Sequence, residues 1–179
     1  MAYLRLYMEI AIHRIEAHEY QLLAQIGRDT FYETWRSVNT EEDMQTYMAK
    51  AFDPASIEKD ILNPVNTFFI AMLGEKAIGY CKLRRDRTYE EFGSDSVIEL
   101  ERIYVFKEYH DHKVGKKLMD VCIDLAKEEN HIWLWLGVNI DNDRAIKFYK
   151  NYGFTIFGEK AFQLGDAVDN DYLMKLKLS

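Results

Sequence analysis

Glu99 and Glu101 lie two residues apart in Val97 to Phe106, a segment whose alternation reads as a strand. Residues two apart on a strand share a face. Two carboxylates so placed raise one another's pKa and can accept a proton directly or through water. The pair is therefore a candidate general base, and it would also attract an ammonium ion. Ile103 and Val105 are expected to continue the same face. Solvated acids on an exposed strand edge would show the same pattern.

The strand runs into a polar turn and then a helix. Residues 107 to 117 carry Lys107, Lys113, Lys116 and Lys117 against Glu108 and Asp111. This stretch is +2 in a chain of formal charge -7, leaving -9 elsewhere. Lysines in a first helical turn oppose the helix dipole. The unpaired N–H groups there bind anions, and a bound phosphate would resolve the conflict. Charge alone fits a solvated helix start equally well. The stretch is neither a G-x-x-x-x-G-K-[ST] loop nor a dinucleotide fingerprint, since Gly115 is its single glycine.

Composition narrows the partners. The 179 residues hold 30 acidic and 23 basic side chains. A general nucleic-acid binder is disfavoured, because phosphate neutralisation wants a basic surface; a cationic partner is better matched. No apolar run approaches the length of a membrane span, and the first residues lack a signal-peptide layout. Cys81 and Cys122 are two thiols outside any C-x-x-C pair, so they read as small buried hydrophobes in a cytoplasmic protein. His13, His18 and His131 are scattered, and no metal site is expected. Trp133 and Trp135 read as core.

Those residues must be held by elements the pattern outlines. A strand is expected over Glu9–Ile15 and a helix over His18–Arg36. Thr40 caps a helix through Ala51, and a short helix spans Ala55–Leu62. Thr67–Leu73 and Ala77–Arg85 form a hairpin about Gly74. Residues 84 to 94 form a loop before the Val97–Phe106 strand. Val114–Glu128 is an amphipathic helix and Ile132–Val138 a buried strand. Asp143–Tyr152 is a helix ending at Gly153, and strands at Phe154–Ala161 and Asp171–Leu178 close the chain. This order implies a single α/β domain over residues 1–179, a mixed sheet with helices on both faces.

Downstream, Asn142-Asp143-Arg144-Ala145-Ile146-Lys147-Phe148-Tyr149-Lys150-Asn151-Tyr152-Gly153-Phe154 resembles the N-x-x-A-x-x-F-Y-x-x-x-G-F signature of the GNAT superfamily of acyl-CoA-dependent N-acetyltransferases. The 103–118 stretch resembles that family's Q/R-x-x-G-x-G/A acetyl-CoA motif, and the similarity covers nearly the whole chain. Within the superfamily, Ile98 to Val105, Ile132 to Val138 and Leu164-Gly165-Asp166 are similar to PaiA-type polyamine acetyltransferases, which acetylate spermidine and spermine. The match has departures: His110 stands at the Q/R position and Lys113 at the first motif glycine.

The resemblance implies a GNAT-like fold and acetyl-CoA as co-substrate. It implies that pantetheine adds to the sheet along Ile103, Tyr104 and Val105. Pyrophosphate would sit on the backbone of His110, Asp111, His112, Lys113, Val114, Gly115 and Lys116, with Asn142, and Asn139 nearby, toward the pantetheine arm. Tyr149 matches the family tyrosine proposed as general acid. Glu99, Glu101 or water would be the base. The implied acceptor is a small cationic amine such as a polyamine. A protein or peptide amine, and a CoA-binding regulatory module with little turnover, remain alternatives. Asp166, Asp169, Asp171 and the acids at 41–43 are further candidates to line a cationic site. A homodimer is allowed.

Overall fold

The computed structural model describes residues 9–164 and 167–178, without the side chains of 162–169. Among them, seven strands form one sheet in the order β1-β2-β3-β4-β5-β7-β6. The strands are β1 Ile10–Arg14, β2 Asn66–Leu73, β3 Lys76–Arg84, β4 Val97–Val105, β5 Trp133–Asn139, β6 Thr155–Leu164 and β7 Ala167–Lys177. The helices are α1 Tyr20–Trp35, α2 Glu41–Ala51, α3 Pro54–Leu62, α4 Val114–Glu128 and α5 Asp143–Asn151. The expected mixed sheet with helices on both faces is present.

Local chemistry sets the helix boundaries. Thr40 accepts the Asp43 N–H at 3.2 Å, and Asp53 accepts that of Ser56 at 2.9 Å ahead of Pro54. The apolar stripe of α4, with Val114, Leu118 and Cys122, packs with Ile146 and Tyr149 of α5 against Ile98, Leu100 and Leu134. On the other face Phe31, Met44, Met48, Phe52 and Ile57 pack on Phe68, Ile70 and Tyr80. Cys81 and Cys122 are fully buried between β3 and α4, as free thiols with Sγ atoms 3.3 Å apart.

The feature that matters for function is a split. β4 and β5 are the parallel pair, and they pair only at Val97↔Trp133, Ile98↔Leu134 and Glu99↔Trp135. Beyond Glu99 and Trp135, β4 continues on β3 and β5 continues on β7. The backbone groups of Leu100–Val105 and Leu136–Asn139 that face one another therefore have no ladder partners, and such groups need hydrogen bonds from elsewhere.

A bulge helps to open it. Leu83 pairs with Leu100 and Lys82 with Arg102, so Glu101 is the extra residue on β4. Before the bulge Ile98 and Leu100 face α4; after it Ile103 and Val105 do. Glu99 and Glu101 do share a face, but Ile103 and Val105 do not continue it. The inserted residue reverses the alternation and leaves Arg102 and Tyr104 on the carboxylates' side, toward α1–α3.

The last hairpin is longer than its apolar pattern suggests. Pairing runs out to Leu164↔Ala167, because ladder hydrogen bonds come from the backbone and carry polar residues such as Gln163 and Asp169 along. Asp166, and the side chain of Asp169, lie outside the described residues.

Candidate active site

On the α4 side, the polar turn is a 3-10 segment, Lys107–His112, followed by Lys113 in the left-handed region at φ 59° and ψ 19°. The motif glycine is missing, yet the backbone takes the conformation that favours glycine. The first α4 hydrogen bond runs from Lys117 N–H to Lys113 O at 3.0 Å, and no side chain caps the helix start. The N–H groups of Val114, Gly115 and Lys116 precede that bond, and free N–H groups at a helix start can accept an anion. A Cβ added at Gly115 would meet only Phe148 Cζ, at 3.9 Å. The protein's own packing does not require a glycine there.

His110 lines the mouth of the split. Its Nε2–H donates to Val105 O at 2.9 Å, which leaves Nδ1 as a buried acceptor with no hydrogen-bond partner. Burial, with Arg144 nearby, holds the ring below the ordinary imidazole range, so it stays neutral. The Val105 carbonyl is thereby already engaged. A cavity of about 470 Å³ opens beside it, lined by Trp35, Lys107, His110, Asn142 and Arg144. Asn142 Oδ1 caps α5 by accepting the Ala145 N–H at 3.1 Å. Asp111, His112, Lys113 and Lys116 are solvent-exposed.

On the opposite face the two carboxylates have different surroundings. Glu101 faces Lys82 Nζ at 3.2 Å, Arg84 at 3.6 Å and Arg102 at 3.8 Å. Burial alone would raise its carboxyl, but Lys82 and Arg102 hold it below its ordinary value. Lys82 is itself buried and bound to Asp60 at 2.8 Å. Glu99 is 3% exposed, at the last β4–β5 pair. Arg87 lies 3.6 Å from its Oε1, while Oε2 has no hydrogen-bond partner. Burial pushes this carboxyl up; Arg87 opposes the shift and Glu101 adds to it. The two carboxyls are thus shifted in opposite directions, Glu101 toward its ionised form and Glu99 toward its protonated form.

Tyr149 is buried on α5 against Phe148 and Phe154. Burial, reinforced by Tyr104 and Cys122, raises its phenol well above the ordinary range, so it is protonated at neutral pH. Tyr104 itself points to the α1 side, where its oxygen accepts the Trp35 Nε1–H at 3.3 Å. Its backbone, rather than its ring, borders the split.

Sequence patterns alone did not single out Lys82, Arg144, Trp35 or Lys160. Lys82 had a usable signal, as a lone charge inside the apolar run Ile78–Leu83. Among the described residues, no group of His, Cys, Asp and Glu could hold a metal ion, and no helix is long and apolar enough to cross a membrane.

Residues 24–154 match the model of the Acetyltransferase (GNAT) family. An uncharacterized N-acetyltransferase encoded in the pepI 3′ region of Lactobacillus delbrueckii subsp. lactis is 33% identical over 153 residues, 86% of this chain and 88% of that protein. A spermidine N(1)-acetyltransferase of Thermoplasma acidophilum is 21% identical, over 95% of this chain and 98% of its own. Among solved structures, the PaiA N-acetyltransferase of Thermoplasma acidophilum in complex with coenzyme A superposes with a TM-score of 0.76, at 21% identity, over 95% of this chain and 99% of that one. With a family model spanning most of its length, and a split sheet beside an uncapped helix start, the chain belongs to the GNAT family and is an acetyl-CoA-dependent N-acetyltransferase.

Proposed function

We propose that the acceptor is a small cationic amine, such as a polyamine. One observation carries this reading: Glu99 is a buried carboxylate with an unpartnered oxygen, at the point where β4 and β5 part. A buried acceptor without a donor is costly, and an incoming ammonium would supply the donor. The similar Thermoplasma protein named as a spermidine acetyltransferase supports the same class. The two buried free thiols fit a reducing, cytoplasmic setting.

Acetyl-CoA brings the acetyl group as a thioester, already activated toward an amine. The α4 N–H groups and the exposed lysines hold the pyrophosphate end, and the unpaired backbone of the split orients the arm. Glu99 accepts a proton from the ammonium, directly or through water. Glu101, fixed by Lys82 and Arg102, stays ionised and keeps the Glu99 carboxyl basic by repulsion. The Tyr149 hydroxyl gives its proton to the departing sulfur and is reprotonated from solvent.

Thiol release from acetyl-CoA tests this directly. Spermidine and spermine should be acetylated with one thiol released per acetyl transferred. Transfer to peptide amines and to no polyamine would overturn the acceptor class.

A further inference from the structure

Lys160 stands on β6 opposite Asp171 of β7, and Asp171 stands opposite Asn139 of β5. Cross-strand partners share a face, so all three lie on the face of Glu99, away from α4. A lysine on the outermost strand would ordinarily extend its ammonium to water. Lys160 instead lies inward across β7. Its Cε and Nζ come within 3.2 and 3.4 Å of the point where a Gly137 Cβ would stand, and Asp171 Oδ2 lies 3.3 Å from the same point, so the ammonium shares the lane with a carboxylate. Gly137 is two residues beyond Trp135, the last β5 residue paired to β4, so the lane its missing side chain leaves opens at the split.

Other cations on this face also meet carboxylates. Lys82 is bound to Asp60 and Glu101. Lys175 is held by Glu91 among Phe92, Trp133 and Phe157. Lys160 carries a primary amine over the stretch of β5 beyond its pairing with β4, and its charge opposes part of the upward shift that burial gives the Glu99 carboxyl.

We propose that Lys160 is an internal acceptor: without a free amine, the protein transfers one acetyl group from acetyl-CoA to its own Lys160 Nζ. The inference rests on the acetyl-transfer chemistry of this site but not on which free amine it uses. The Lys160 ammonium loses a proton to Glu99 through water. A bond forms between Nζ and the acetyl carbonyl carbon, and the carbon–sulfur bond breaks. The amide nitrogen keeps one hydrogen, the thiol takes one and solvent receives one. The products are Nε-acetyl-lysine, coenzyme A and a proton. The reaction stops at one acetyl per chain, with the cation beside Glu99 removed.

The test incubates the full chain with acetyl-CoA alone and follows intact mass and peptide maps. Wild type, Lys160→Arg and denatured wild type are compared, and spermidine turnover is measured in the same preparations. Folded wild type should gain one acetyl group, on Lys160, at least ~10-fold faster than the denatured chain, because the amine is held in place. The rate should not depend on protein concentration, spermidine should slow it, and Lys160→Arg should lack it. A preparation that acetylates spermidine but leaves Lys160 bare overturns the proposal. So does labelling at the denatured rate, or labelling that scales with protein concentration, which would be transfer between copies. Labelling of Lys160 without spermidine turnover supports the internal acceptor and removes the polyamine reading. Neither reaction counts against both.

Discussion

Lys113→Gly should stabilise this protein. Lys113 holds φ 59° and ψ 19°, the left-handed region, immediately before α4. That conformation costs a residue with a Cβ about 1–2 kcal/mol. Glycine removes the cost but loses about 0.5–1 kcal/mol in chain entropy on folding. The net gain is about 0–1.5 kcal/mol, which raises the melting temperature of a chain of this length by up to about 6 °C. Lys113→Ala keeps the Cβ and should gain nothing, so the pair separates backbone strain from side-chain charge. The Lys113 side chain is exposed, and an exposed cation near phosphate contributes about 1 kcal/mol or less. The KM for acetyl-CoA should therefore rise by about fivefold or less in both variants. Thermal unfolding and an acetyl-CoA titration of all three proteins measure this. A lower melting temperature for Lys113→Gly, or equal gains for glycine and alanine, would refute the strain argument.

Three further outcomes follow from the site. Glu99→Gln should lower kcat by about 10²-fold or more, as loss of a general base does, whereas Glu101→Gln should act mainly on stability by leaving Lys82 short of a partner; equal kcat losses would contradict the division of roles. The acid limb of kcat/KM should lie above the ordinary carboxylate range, because the Glu99 carboxyl is raised and activity needs it ionised. Activity should then fall as pH drops through that raised value, and the limb should vanish in Glu99→Gln. Tyr149→Phe should slow transfer by about 10²-fold while unfolding within about 1 kcal/mol of wild type, and an unchanged rate would remove Tyr149 as the acid.

Much of this architecture is legible in the residues, and what is not has a physical cause. The α4 stripe of Val114, Leu118 and Cys122 marks its helix because burial imposes a 3.6-residue period on one chain segment. The Glu101 bulge leaves no such mark. It exists only in the register between β3 and β4, so the reversal that separates Ile103 and Val105 from the carboxylates cannot be read along β4 alone. The surroundings of Glu99 and Glu101 differ for the same reason: Lys82, Arg84 and Arg87 come from elsewhere in the chain. The proposed anion site is half legible. Lysines and Gly115 signal a phosphate, while the neutral His110 bound to Val105 O emerges only when the turn folds back on the strand. Lys160 is an ordinary strand lysine until Gly137, two strands away, leaves it a lane.

The most direct measurement is a crystal structure of this protein with acetyl-CoA. The pyrophosphate is expected on the N–H groups of Val114, Gly115 and Lys116, with the thioester between β4 and β5 beyond the Glu99–Trp135 pair. Acetyl-CoA bound elsewhere, for example in the 400 Å³ cavity at Ser96 and His131 near the start of β4, with the split left closed to it, would contradict that placement.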